Sequence, residues 1–183
     1  MKLEEKTLDK EYVFKGRIIN VRVDKVELPN KSFGTREIVE HNGGIGILPI
    51  DDENNAYLVK QWRSPYQKVI TEIPAGKREG DEDPKKGGIR ELKEEIGAVC
   101  DEIIPLGKIY PTPGYCGEII YLFLARKLTF SSQNLDKDEF LNVEKIPFDK
   151  LVEKILNGEI CDSKTVAAVL KADKILNKKK AKI

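Results

Sequence analysis

Glu91, Glu94 and Glu95 lie close together in the run Arg90-Glu91-Leu92-Lys93-Glu94-Glu95. Residues three and four apart share one face of a helix, so these carboxylates line up on one side. Like charges at that spacing repel, at about 0.2–0.5 kcal/mol per pair, and the fold gains nothing from them. A bound divalent cation reverses the sign, because hard cations such as Mg²⁺ prefer carboxylate oxygen. The competing explanation is an ordinary solvated acidic face. The flanking residues argue against it. Asp83-Pro84 reads as a helix start, with Asp supplying the N-cap oxygen and Pro fitting the first helical position. Gly97 reads as the stop, suited to the left-handed conformation after a helix. Gly76 and Glu82 stand upstream, after the apolar run from Val69 to Pro74. Strand, loop, capped helix and acid cluster together describe a metal site facing a loop.

The rest of the chain has to position that helix. Its pattern is strand-rich. Ile18 to Leu28 alternates and then slips phase, which predicts a bulge, and Thr35 to His41 returns as a second strand across the turn Pro29 to Gly34. Gly44 to Ile50 and Ala56 to Trp62 read as another hairpin across Asp51 to Asn55. Ile103 to Tyr110, Glu118 to Leu128 and Phe140 to Ile146 read as strands. Phe148 to Leu156 and Ser163 to Leu176 read as helices. The fold predicted is an α/β/α sandwich around a mixed sheet, with a small N-terminal antiparallel β sheet in residues 1–41 and the main domain in residues 42–183.

At 183 residues the chain is long enough for one sizeable core. A formal net charge of +1 argues against a dedicated nucleic-acid or membrane surface. The tail Lys178-Lys179-Lys180-Ala181-Lys182 is short and reads as solvated. No apolar run approaches the length of a membrane span, and the first residues are too charged for a secretory signal. Cys100, Cys116 and Cys161 are far apart and unmatched, so they read as free thiols of a reducing cytoplasm. His41, the single histidine, reads as a structural residue at a strand end. It leaves no basis for a zinc hydrolase or a Ser-His triad.

The stretch from Gly76 to Ala98 resembles the signature box of the Nudix hydrolases. Gly76, Glu82, Arg90, Glu91, Leu92, Glu94, Glu95 and Gly97 match the pattern, and Ala98 replaces the usual larger aliphatic residue. Gly87 and Gly88 stand where the family often has Ala; each costs about 1 kcal/mol in a helix. Outside the box, Gln61-Trp62-Arg63-Ser64-Pro65, Glu72-Ile73-Pro74-Ala75-Gly76, Thr112-Pro113-Gly114-Tyr115-Cys116-Gly117-Glu118 and Asn157 to Thr165 are similar to the ADP-ribose pyrophosphatase branch. The resemblance implies the same sandwich fold and cleavage of ADP-ribose to AMP and ribose 5-phosphate. Another nucleoside diphosphate compound, a nucleotide sugar or a dinucleotide, is the alternative substrate. A fold retained only for ligand sensing usually lacks the carboxylates that are present here.

The resemblance also implies roles. Glu91 and Glu95, helped by Glu94, would hold Mg²⁺ or Mn²⁺, with the Ala75 carbonyl as a backbone ligand. Glu82 and Arg90 would brace loop and helix as an ion pair. The general base must reach a water without being locked to metal. Glu139, in the segment Leu135 to Phe140, is the first candidate, Glu118 the second and Glu94 the third. Arg63 is the first candidate for a phosphate contact, because a guanidinium binds phosphate in bidentate fashion. Arg36 is the second. Trp62 and Tyr115 are candidate stacking partners for a base, although the strand alternation around Trp62 favours a core position. A two-stranded hairpin is marginal alone, so its expected apolar face of Ile19, Val21, Val23 and Ile38 predicts a homodimer through the N-terminal segment.

Overall fold

The computed structural model describes residues 2–135 and 139–180, with side chains to residue 177. The lysine tail and Asp136 to Asp138 of the Glu139 segment thus fall outside the described side chains. The chain divides into two compact units. One is Met1–Gly43 with Tyr110–Ile119, and the other is Gly44–Ile109 with Ile120–Ile183.

The first unit is a three-stranded antiparallel sheet of β1 (Lys6–Lys15), β2 (Ile19–Glu27) and β3 (Phe33–His41), in that order. The second and third strands match the expected hairpin. The first was not legible, because every one of its residues is exposed and no buried face imposes a pattern. Its presence corrects two expectations. The bulges lie in β1, between Thr7 and Asp9 and between Tyr12 and Phe14, while β2 and β3 pair without interruption. The register also pairs Val21 with Val39 and Ile38 with Arg22, so Ile38 lies on the opposite face from Val21 and Val23. The hairpin therefore does not stand alone. In the returning segment, Val39 donates to the Tyr115 carbonyl at 2.8 Å and Gly117 donates to the Val39 carbonyl at 2.9 Å.

The second unit holds β4 (Gly44–Pro49), β5 (Asn55–Arg63), β6 (Lys68–Glu72), β7 (Ala75–Lys77), α1 (Pro84–Ile96), β8 (Ala98–Ile109), β9 (Ile120–Phe130), β10 (Leu141–Pro147), α2 (Phe148–Leu156) and α3 (Ser163–Lys180). One sheet runs β7-β4-β9-β8, with β4 and β9 parallel, and another runs β10-β5-β6. The expected β4–β5 hairpin is not formed. The chain does turn there, with Asp51 donating to the Asn55 carbonyl at 2.9 Å, but only Ile50 and Ala56 make a bridge. Both edges of β4 are taken by β7 and β9, so β5 has to pair elsewhere.

Strand alternation builds the sandwich. Ile45 and Ile47 of β4, with Phe123 and Ala125 of β9, pack with Leu92 and Ile96 of α1. Leu48, Leu122 and Leu124 cluster instead with Leu151 and Ile155 of α2 and with Ala168, Val169 and Ala172 of α3. Helices thus cover both faces of a mixed sheet, the α/β/α arrangement expected. Gly87 lies where α1 meets β4. A Cβ there would collide with Ile45 and with the Glu82 carboxylate, so the low helix propensity of this position is the condition for close packing.

Candidate active site

The capping chemistry sets α1. The Asp83 side chain accepts from the backbone N–H groups of Lys85 and Lys86 at 3.1 Å, Pro84 follows, and Gly97 ends the helix in the left-handed conformation, with φ 66°. This fixes the phase of the helix, and Glu91 and Glu95 turn inward. They are 6% and 2% exposed, among the few buried charged residues described. Leu92 and Ile96, on the adjoining stripe, bury in the core and hold that phase.

Two features bring the loop against these acids. A Cβ on Gly76 would occupy the Glu91 carboxylate, so only glycine permits this approach. One residue earlier, the Ala75 N–H donates to Glu95 Oε2 at 2.9 Å. Pro74 is held in turn, its carbonyl accepting from Ile47 at 2.9 Å.

Arg90 organises the exposed side. Its Nε and Nη2 donate to the two oxygens of Glu82 at 3.1 Å, and its Nη1 reaches Glu91 and Glu94 at 2.8 Å. The Arg90–Glu82 pair is bidentate, the bracing role expected of it. Glu94 remains partly exposed, with a side chain 33% accessible.

Burial dominates the acidity of the inward pair. It pushes the Glu91 carboxyl up to about 7, against the opposing pull of Arg90. It pushes Glu95 up to about 8, against the Ala75 N–H. The charge on Glu139 adds to both shifts, whereas Arg63 opposes the shift of Glu95. Glu139 and Arg63, two residues distant in sequence from α1, therefore share the electrostatic neighbourhood of the two buried acids.

No three His, Cys, Asp or Glu side chains among the described residues already converge as a metal cage. The donor set nevertheless fits a hard divalent cation. It offers buried carboxylate oxygens short of compensating charge, beside a backbone segment held close by Gly76.

Arg63 is not a free guanidinium. Its Nε and Nη2 donate to the two oxygens of Glu72 at 2.6 and 2.7 Å, leaving its side chain 38% exposed. Glu72 also accepts from Lys164, which reaches Asp162 at 3.0 Å. Asp162 caps α3, accepting from the Thr165 N–H at 3.0 Å and its hydroxyl at 2.6 Å. The Thr165 hydroxyl oxygen accepts from the Ile73 N–H at 2.9 Å. Sequence reading missed this cluster as a working unit. Its only signal was the resemblance of Glu72 to Gly76 and of Asp162 to Thr165 to known motifs, and Lys164 lies 92 positions from Glu72.

The other candidates fall as follows. Trp62 is 53% exposed, which overturns the core expectation: it sits near the end of β5, where the strand's burial has already given way to exposed and half-buried residues. Tyr115 is 57% exposed in the turn that joins the first unit. Arg36, also in the first unit, pairs with both oxygens of Glu5 and donates to the Thr35 carbonyl at 2.8 Å. Glu118 lies 3.5 Å from His41, whose Nδ1 accepts from the Gly43 N–H at 3.0 Å, so the histidine is a strand-end residue as expected. The three cysteines are free. Among the described residues no helix is long and apolar enough to cross a membrane.

A capped helix presenting inward glutamates to a glycine-bearing loop, inside an α/β/α sandwich, is the arrangement that the resemblance to the Nudix hydrolases implies. The chain belongs to the Nudix hydrolases: a family model described as NUDIX domain matches residues 40–169. A second model, nucleoside diphosphate sugar hydrolase N-terminal domain, matches residues 5–39. The chain is 42% identical to a methanol dehydrogenase activator of Bacillus methanolicus over 91% of each chain. It is 39% identical to an ADP-ribose pyrophosphatase of Bacillus subtilis, again over 91% of each. Its fold is similar to that of a crystal structure named ADP compounds hydrolase, with TM-score 0.86, 20% identity and 98% of both chains covered. As a Nudix hydrolase it works with a divalent metal ion.

Proposed function

We propose that this chain hydrolyses the pyrophosphate linkage of ADP-ribose to AMP and ribose 5-phosphate. The observation that carries this reading is the buried pair Glu91 and Glu95, facing Ala75 and Gly76 and sharing its electrostatic neighbourhood with Arg63 and Glu139. The name of the Bacillus subtilis relative supports the choice of ADP-ribose.

Glu91 and Glu95, with Glu94 and the Ala75 carbonyl, would hold Mg²⁺, or Mn²⁺ in its place. When bound there, the metal supplies charge neutralisation for the pyrophosphate and lowers the pKa of water. Arg90 restrains Glu91 and Glu94 so that their oxygens stay on one side of α1. Glu139 is the assigned general base. It is not hydrogen-bonded to Arg90, and its charge reaches both inward acids. Glu118 and Glu94 are the alternatives in that order. Arg63 binds phosphate through the part of its guanidinium not directed at Glu72, and exposed Trp62 offers a ring face to the base. Arg36 and Tyr115 are assigned as further substrate contacts on the resemblance alone.

A nucleoside diphosphate sugar is the second reading, favoured by the match of residues 5–39. Screening the pure protein with Mg²⁺ against ADP-ribose, nucleotide sugars, dinucleotides and nucleoside triphosphates separates the two. ADP-ribose should give the highest kcat/KM, and a nucleotide sugar turned over faster would replace it.

The enzyme acts, in this reading, as a cytoplasmic homodimer joined through the N-terminal strands. Leu8, Tyr12, Val13 and Phe14 of β1 are 42–57% exposed, an apolar group that a second copy would cover. Light scattering during size exclusion should give about twice 20.7 kDa, and a mass near 20.7 kDa would refute the dimer.

A further inference from the structure

Lys164 is 8% exposed and stands in the first turn of α3, a helix that carries none of the residues assigned above to metal or substrate. A buried lysine needs a reason, since an ammonium loses hydration unless it is paired. Here it has two carboxylate partners, Glu72 and Asp162. Glu72 is the same carboxylate that holds Arg63 in a two-point clasp. Two cations and two acids therefore form one chain of ion pairs, Arg63–Glu72–Lys164–Asp162, with no net formal charge, and three of its members are less than one-fifth exposed.

The geometry of that set is fixed from the α3 side. Asp162 accepts from both polar groups of Thr165, and Thr165 in turn accepts from the N–H of Ile73, the residue directly after Glu72 at the end of β6. The cation nearest Glu72 other than Arg63 is thus held at a set place by a helix end. Its charge helps keep Glu72 ionised. Burial pushes that carboxyl up, but Arg63 and Lys164 outweigh it and hold it below the ordinary range. An ionised Glu72 is what fixes the rotamer of Arg63.

We infer that Lys164 is a positioning residue for substrate binding: by sharing Glu72 with Arg63, it sets the direction and the unneutralised charge that the Arg63 guanidinium offers to a pyrophosphate. Removing the ammonium leaves Arg63 facing two acids, with the set one charge negative, and the guanidinium turns from ligand toward its own carboxylates. The effect falls on anion binding. This inference rests on the phosphate-binding role proposed for Arg63.

The test compares Lys164→Gln, Lys164→Met and Lys164→Arg with Lys171→Met. Lys171 lies on the same helix and donates to the Leu106 carbonyl at 2.9 Å, away from Glu72, so its loss reports structural damage alone. Each full-length protein is measured for melting temperature, for KM and kcat on ADP-ribose with Mg²⁺, and for affinity to inorganic pyrophosphate by calorimetry. Lys164→Gln keeps a hydrogen-bond donor and remains folded if the apolar Met variant does not. It should weaken pyrophosphate affinity and raise KM by about tenfold while kcat changes by less than about threefold. Lys164→Arg should restore both values, and Lys171→Met should leave both unchanged. Unchanged pyrophosphate affinity in folded Lys164→Gln, or a Lys164→Arg protein as impaired as Lys164→Gln, overturns the inference. Pyrophosphate binding that weakens in Lys164→Gln, in a protein that leaves ADP-ribose intact, removes the substrate reading and keeps the positioning role.

Discussion

Glu72 on β6 and Glu95 on α1 are equally buried, each 2% exposed, yet their acidities move in opposite directions. Burial penalises the charged form of both. Glu72 has two cations of its own chain against it, and they more than offset the penalty. Glu95 has one backbone N–H, and two further acids raise it. The comparison separates a carboxylate that two cations of the chain neutralise from one to which, among the described residues, no cation is hydrogen-bonded. In the function proposed, the first builds the scaffold and the second would hold the metal.

Substitutions test this contrast. Glu72→Gln should be the most damaging to stability, because it leaves the buried Lys164 and the half-buried Arg63 without their shared acid. A loss of about 3 kcal/mol, or roughly 10 °C in melting temperature, is expected. A shift under about 2 °C by calorimetry would show the cluster to be dispensable. Glu95→Gln should do the reverse. Turnover with saturating Mg²⁺ should fall by about 100-fold or more. The metal-free protein at pH 8 should melt no lower than wild type, since a buried charge has been removed. An unchanged rate would break the metal assignment, and a large fall in melting temperature would erase the distinction from Glu72.

The pH dependence of the metal-free protein follows with a definite sign. Glu91 and Glu95 have folded pKa values of about 7 and about 8, above the ordinary carboxylate value of 4.5. The native state therefore binds more protons than the unfolded chain between these values. The stability they contribute is complete below pH 4.5 and is lost as pH rises through 7 and 8. In chelator, stability should fall by at least ~2 kcal/mol from pH 5 to 8.5, read by urea titration, and Mg²⁺ should restore it. Flat stability in chelator would mean the two acids are not desolvated. The smallest effect is expected at Arg63. Arg63→Ala should raise KM for ADP-ribose about tenfold with a lesser change in kcat. A fall in kcat alone would instead make Arg63 a transition-state group.

The candidate site was legible in the sequence as far as its parts were local. Asp83, Pro84, Gly97 and the glutamate spacing act within one helix, so their consequences follow from helical geometry. Glu139 and Lys164 meet their partners only through tertiary folding. The exposed strand β1 left no trace, because no face of it is buried. Trp62 sits in a readable strand, but periodicity assigns a face without saying whether anything covers it. The unformed β4–β5 hairpin has the same origin: proximity in sequence favoured it, and the parallel pairing of β4 with distant β9 displaced it.

By itself, then, the sequence determined a capped helix with its acids on one face and a glycine-bearing loop before it, because capping and helical phase are set by neighbouring residues. The tertiary structure alone decided the charge state of each acid. Desolvation and pairing depend on groups far apart along the chain, and the fold placed Lys164 against Glu72 while giving Glu95 no cation hydrogen-bonded to it.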